Sequence, residues 1–184
     1  MIEGLFVRVD GRNMASDEKF LRMKKYRSRL ENAEGYGEVW EIVKATVKSS
    51  LNERRVGMML FLDDLPLRLG AYHPLGTNNI VLNRALVNIV EAASKSKRLI
   101  NSFVYVLLLH EYLHALGRPR EAQVRPLVYK ISRESFGSNH ITTQLAELGP
   151  WSILKGIPLD TMDVPKRVIE IVKDFEKADK KYII

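Results

Sequence analysis

Apolar positions along this chain follow two different periods. From Glu38 to Asn52, Val39, Ile42, Val43, Thr46 and Val47 fall on one face of a 3.6-residue helix, with Lys and Glu opposite. Val56 to Leu62 is instead an unbroken run, Val-Gly-Met-Met-Leu-Phe-Leu, and predicts a buried strand. Asp63-Asp64-Leu65-Pro66 turns the chain into a second predicted strand, Leu67 to His73, which holds Gly70. The turn cluster Pro74-Leu75-Gly76-Thr77-Asn78 leads to a third, Asn79 to Asn83. Helical spacing resumes from Leu86 to Ala93, from Leu99 to Leu116, from just beyond Pro119 to Phe136, and briefly from Thr142 to Leu148. A last amphipathic helix is predicted over residues 163–180, with Val164, Val168, Ile171, Val172 and Phe175 inward.

At the other end, Leu5 to Val9 reads as a short strand and Ser16 as the cap of a helix running through Leu30. Gly35-Tyr36-Gly37 is the best boundary. It divides a basic N-terminal extension, 1–35, from a domain over 36–184 that ends in a helical part. The sum is an α+β fold: a backing helix, a small and mostly antiparallel sheet, then helices.

One helix carries chemistry. His110-Glu111-Tyr112-Leu113-His114 follows the apolar run Phe103 to Leu109. Imidazoles four residues apart lie on one helical face and can reach one ion. Zn²⁺ suits two such nitrogens with one carboxylate oxygen, and leaves a position for water. Glu111 projects beside that ion and can take a proton from water the ion has made acidic. Gly117 is a helix stop, and Arg118-Pro119 forces a bend. Two His and a Glu on so apolar a helix are costly to bury without a metal or other partners.

Composition narrows the site. The chain of 184 residues is long enough for a real core. It has no Cys, which excludes disulfides and thiolate metal sites, so any metal must be held by carboxylates and the four His, at 73, 110, 114 and 140. No secretory signal is visible and the longest apolar run is too short for a bilayer, which predicts a cytoplasmic protein without membrane contact. The net charge of +7 includes a cluster at Lys19, Arg22, Lys24, Lys25, Arg27 and Arg29. With little aromatic interleaving beyond Phe20 and Tyr26, it reads first as a solvated helix face, and nucleic acid is a partner not favoured.

Two His do not complete a hydrolytic zinc site. Arg120 stands where a metzincin would carry its third His, which excludes that pattern. Glu121 lies just past the bend between two antiparallel helices, and is the favoured third ligand. Glu134, about 20 Å further along the helix, is the alternative. Candidates for a donor to a tetrahedral oxyanion are His140, in a loop that could fold over the site, and His73, Tyr112 and Tyr129.

The order of backing helix, sheet, His110-Glu111-x-x-His114 helix and glutamate helix resembles the gluzincin class of zinc peptidases, and looks most like the compact archaeal minigluzincins. The resemblance covers roughly residues 36–137. It implies a zincin-like fold with zinc on His110, His114 and a Glu of the following helix, and Glu111 as general base and acid. The interval from His114 to Glu134 is similar to that of the thermolysin type, though shorter. The resemblance also implies that an edge strand, 67–73 or 79–83, pairs with an extended peptide or protein substrate. The expected function is therefore a zinc-dependent metallopeptidase. The alternative is an inactive or regulatory binding module of the same fold, associated with nucleic acid through its basic surface.

Overall fold

A computed structural model describes residues 11–159 and 162–176. The strand expected at Leu5–Val9 lies outside them. Six helices and a four-stranded sheet are built in the order α1 (Gly11–Asn32), α2 (Tyr36–Leu51), β1 (Met59–Asp63), β2 (Ala71–Tyr72), β3 (Asn79–Asn83), α3 (Arg84–Ser94), α4 (Lys97–Ala115), α5 (Glu121–Phe136), α6 (Ile141–Leu148) and β4 (Glu170–Ile171). A short 3-10 helix, Pro150–Leu154, follows α6.

The hub is α4. It packs against α1, α2, α3, α5, α6 and the sheet. Its sequence explains this, because Phe103 to Leu109 has no polar face to leave in water and is buried all round. Ser96 caps its start by accepting a bond from Leu99 N–H. Its buried polar groups are partnered, as burial requires. The Asn101 side chain donates to the carbonyls of Leu30 and Ala33, and the Tyr105 and Thr46 hydroxyls share a bond of 2.8 Å. Tyr26, Leu30 and Ala33 thereby join the same core as α4 and α5. The cationic side chains of Lys19, Arg22, Lys24, Lys25 and Arg29 are exposed, while Arg27 bonds the Phe136 carbonyl.

The sheet order is β2-β3-β1-β4. The sheet is mixed, with two of its three strand pairings antiparallel. Its central pair, β1 with β3, is parallel, and antiparallel pairing is confined to the outer strands β2 and β4. The centre holds the most apolar residues: Leu60, Ile80 and Leu82 are fully buried, as a central parallel pair favours. This order also settles the edge. The 79–83 strand is interior, so the open edge on that side is β2, reduced from the expected 67–73 to two residues.

The helix expected over 163–180 is not formed in its described part. Residues 162–169 are irregular, and β4 follows. The buried carboxylate of Asp64 accepts from the Arg167 side chain and from Arg167 N–H at 2.9 Å, which holds that backbone extended. Val172 N–H then bonds the Leu60 carbonyl. β-branched residues at 168, 169, 171 and 172 suit the extended form. Val168 and Ile171 face solvent; Phe175 does point inward, stacked on Trp40 at 4.8 Å.

Candidate metal centre

The end of α4 and the start of α5 bring three acceptor atoms together. His110 Nε2 and His114 Nε2 are 3.2 Å apart, and Glu121 Oε1 lies 3.1 Å from each. A tetrahedral site with Zn–N and Zn–O bonds of 2.0–2.1 Å has ligand atoms about 3.3 Å apart. The spacing of the three atoms therefore fits one small cation. Among the described residues this is the group of His and carboxylate side chains that could hold a metal.

The turn after α4 sets one tautomer. Gly117, with φ +89°, takes the left-handed conformation that ends the helix, and its N–H bonds the His114 carbonyl at 2.9 Å. The chain then doubles back so that the Arg118 carbonyl sits 2.7 Å from His114 Nδ1. A carbonyl only accepts, so Nδ1 carries a proton, and in the neutral tautomer Nε2 presents its lone pair on the Glu121 side. Two arginines brace this turn. Arg118 makes a bidentate pair with Glu53. Arg55 caps the Ala115 carbonyl and ties it to Thr77 and Asn78 beside the sheet.

Glu121 is at the first turn of α5. Its second oxygen, Oε2, accepts from Arg125 Nε at 3.1 Å. Burial works against its charge, but the neighbouring His110, Arg125 and His114 prevail and pull its carboxyl down to about 2. His110 is lowered from its ordinary value, by burial first. Its ring is therefore mostly neutral at pH 7.

Glu111 is buried and lies one residue beyond His110. Burial first, then the charge of Glu121, pushes its carboxyl up to about 8, against a bond from the His73 backbone N–H. Positive charge held beside Glu121 would cancel that repulsion and favour the ionised form a base needs.

The other candidates are placed elsewhere. Glu134 points toward α2, where it accepts from Ser50, and approaches Lys130 at 4.0 Å. His140 is buried at the start of α6. Its Nδ1 caps α6 through Thr142 N–H, its Nε2 meets Glu31, and its ring stacks on Phe136. It does not line the cavity beside the triad. Tyr112 turns away to bond the Arg55 backbone and pack on Trp40. His73 bonds the Asn79 carbonyl through its ring. Tyr129 does line the cavity.

That cavity, of about 630 Å³, runs from His110, Glu111 and Glu121 along the open edge of β2. Its apolar wall comes from Val106, Leu107, Val128, Leu145 and Trp151. Gly70 makes the approach possible, since a Cβ there would stand 2.6 Å from Leu107 Cδ2. Trp151, also in the lining, donates from Nε1 to the Leu67 carbonyl. Sequence reasoning passed over Arg125 and the Arg118 carbonyl. The first was signalled by its place four residues after Glu121, the second by Gly117.

Compared with protein-family models, with curated proteins and with solved structures, the chain gives no match.

Proposed function

We propose that this protein is a zinc-dependent metallopeptidase, with His110, His114 and Glu121 as metal ligands and Glu111 as general base. The observation that carries the reading is the triangle of two imidazole nitrogens and one carboxylate oxygen 3.1–3.2 Å apart with a buried carboxyl next to it. Zinc bound there would supply an acidic water and polarise a carbonyl oxygen.

The chain's own groups account for the remaining needs. Asn83 N–H bonds the Gly70 carbonyl, so the Gly70 groups face β3. Alternation leaves Ala71 N–H and C=O on the open side, the side on which His73 N–H meets Glu111. An extended peptide pairing with Ala71 is therefore laid across Glu111. Glu111 takes a proton from water and returns it to the leaving amine. The apolar wall excludes bulk water and accepts a side chain.

The test measures metal content and peptide cleavage together. The native protein should retain about one zinc per chain and cleave an unstructured peptide. Glu111→Gln should keep the zinc and lose cleavage by about 10²–10⁴-fold. Cleavage unchanged in Glu111→Gln, or a native protein that retains no zinc, overturns the assignment.

A further inference from the structure

Arg125 has an end to spare. Its Nε holds Glu121 Oε2 at 3.1 Å, and its two terminal nitrogens take no partner among the described residues. The side chain lines the cavity yet is 77% exposed, which places it at the mouth rather than in the apolar interior. Among the described residues it is the cavity's one strongly basic side chain; the acids there are Glu111, Glu121 and Glu147. Apart from the proposed metal, Arg125 is the cationic group this space offers to an entering anion.

Building on the peptidase reading, we propose that Arg125 binds the terminal carboxylate of the substrate, and that the enzyme is a carboxypeptidase releasing apolar C-terminal residues. The geometry sets the depth. Oε2 of Glu121 contacts Arg125, and Oε1 of the same carboxylate contacts both imidazoles at 3.1 Å. One residue of extended chain advances about 3.3–3.6 Å. A carboxylate on the Arg125 nitrogens therefore leaves room for one residue between it and the triad. The free nitrogens form the fork that takes a carboxylate with two bonds. The side chain of that last residue then enters the space between Leu107, Val128, Leu145 and Trp151, while its backbone stays at the mouth. In the hydrolysis the final C–N bond breaks. The water's hydroxyl joins the acyl carbon, and its proton joins the nitrogen of the released amino acid.

The experiment compares one peptide ending in Leu as the free acid and as the amide. The zinc-loaded native protein should favour the acid by about tenfold or more in kcat/KM, and mass spectrometry should show loss of one residue. In Arg125→Ala the ratio should fall to about one, whatever the change in absolute rate; Arg125→Lys should keep part of the preference. Because the ratio is taken within each protein, loss of Glu121 positioning does not imitate the effect, and zinc content is measured beside it. Calorimetry on Glu111→Gln adds an arm without turnover, with tighter binding of the acid than of the amide expected. Equal affinities, equal rates, internal cleavage, or a preference that survives in Arg125→Ala overturns the carboxylate assignment alone. A zinc-loaded protein that cleaves neither peptide overturns the peptidase reading, and this one with it.

Discussion

Two polar clusters in this molecule are each built around a carboxylate and end in opposite states. At Asp64, the buried carboxylate faces Arg84 at 2.8 Å, and Arg167 meets it with both its guanidinium and its backbone N–H. Every contact joins a donor to an acceptor, and charges of both signs meet. At the end of α4, two imidazole nitrogens and one carboxylate oxygen face one another. His114 Nδ1 donates to the Arg118 carbonyl, so a neutral ring has no second proton to give. A proton on His110 Nε2 can serve only one edge of the triangle at a time. The first cluster is complete without any further group; the second sets three potential ligand atoms at a spacing that could hold one cation. The difference teaches that buried charge alone does not mark a functional site. The donor and acceptor balance does.

The contrast is broken most severely from the second cluster. Substituting His114→Ala should remove zinc retention after dialysis, from about one ion per chain to none, because two protein ligands do not complete the site. Thermal stability of the metal-free protein should change little by comparison. An apo-protein Tm that collapses would mean His114 serves the fold instead.

The first cluster should respond the other way. Asp64→Asn leaves two guanidinium groups short of their charge and should cost roughly 3–5 kcal/mol, read as a Tm lower by about 10 °C, with the metal affinity of the folded protein unchanged. The pH dependence has a definite sign. Arg167 and Arg84 hold the Asp64 carboxyl well below its ordinary value. Its contribution is therefore present at neutral pH and is lost as pH falls below about 3.9, the unfolded value. Acid unfolding curves of Asp64→Asn should be flatter there than those of the native protein.

The same contrast explains what could be read from the residues alone. The His110-Glu111-x-x-His114 spacing and the Gly117 stop fixed the site's helix and its bend, because both are local and follow from backbone geometry. Glu121 followed from that bend. The C-terminal segment misled because its helical spacing was real, while the outcome was decided by Asp64, about a hundred residues away. No local pattern reports that Arg167 will be captured by a buried carboxylate. His140 misled for a related reason. A loop position says nothing about direction, and Glu31 of α1 and the capping of α6 claimed both ring nitrogens.

Subtler changes sharpen the comparison. Gly117→Ala, at φ +89°, should cost about 1–2 kcal/mol and shift the Arg118 carbonyl away from His114. Zinc affinity by chelator competition should fall about tenfold. Affinity unchanged alongside a lower Tm would separate the turn from the site. Smallest of all is Glu134→Gln, which should leave zinc content untouched and stability within about 0.5 kcal/mol. Loss of zinc in that variant would transfer the third ligand to Glu134.

The central claim is that three acceptors at the α4–α5 bend share one cation. Anomalous scattering at the zinc edge, from crystals of the zinc-loaded protein, tests it most directly. The account predicts a single peak bonded to His110 Nε2, His114 Nε2 and Glu121 Oε1. A peak ligated by other side chains, or none after loading, would contradict it.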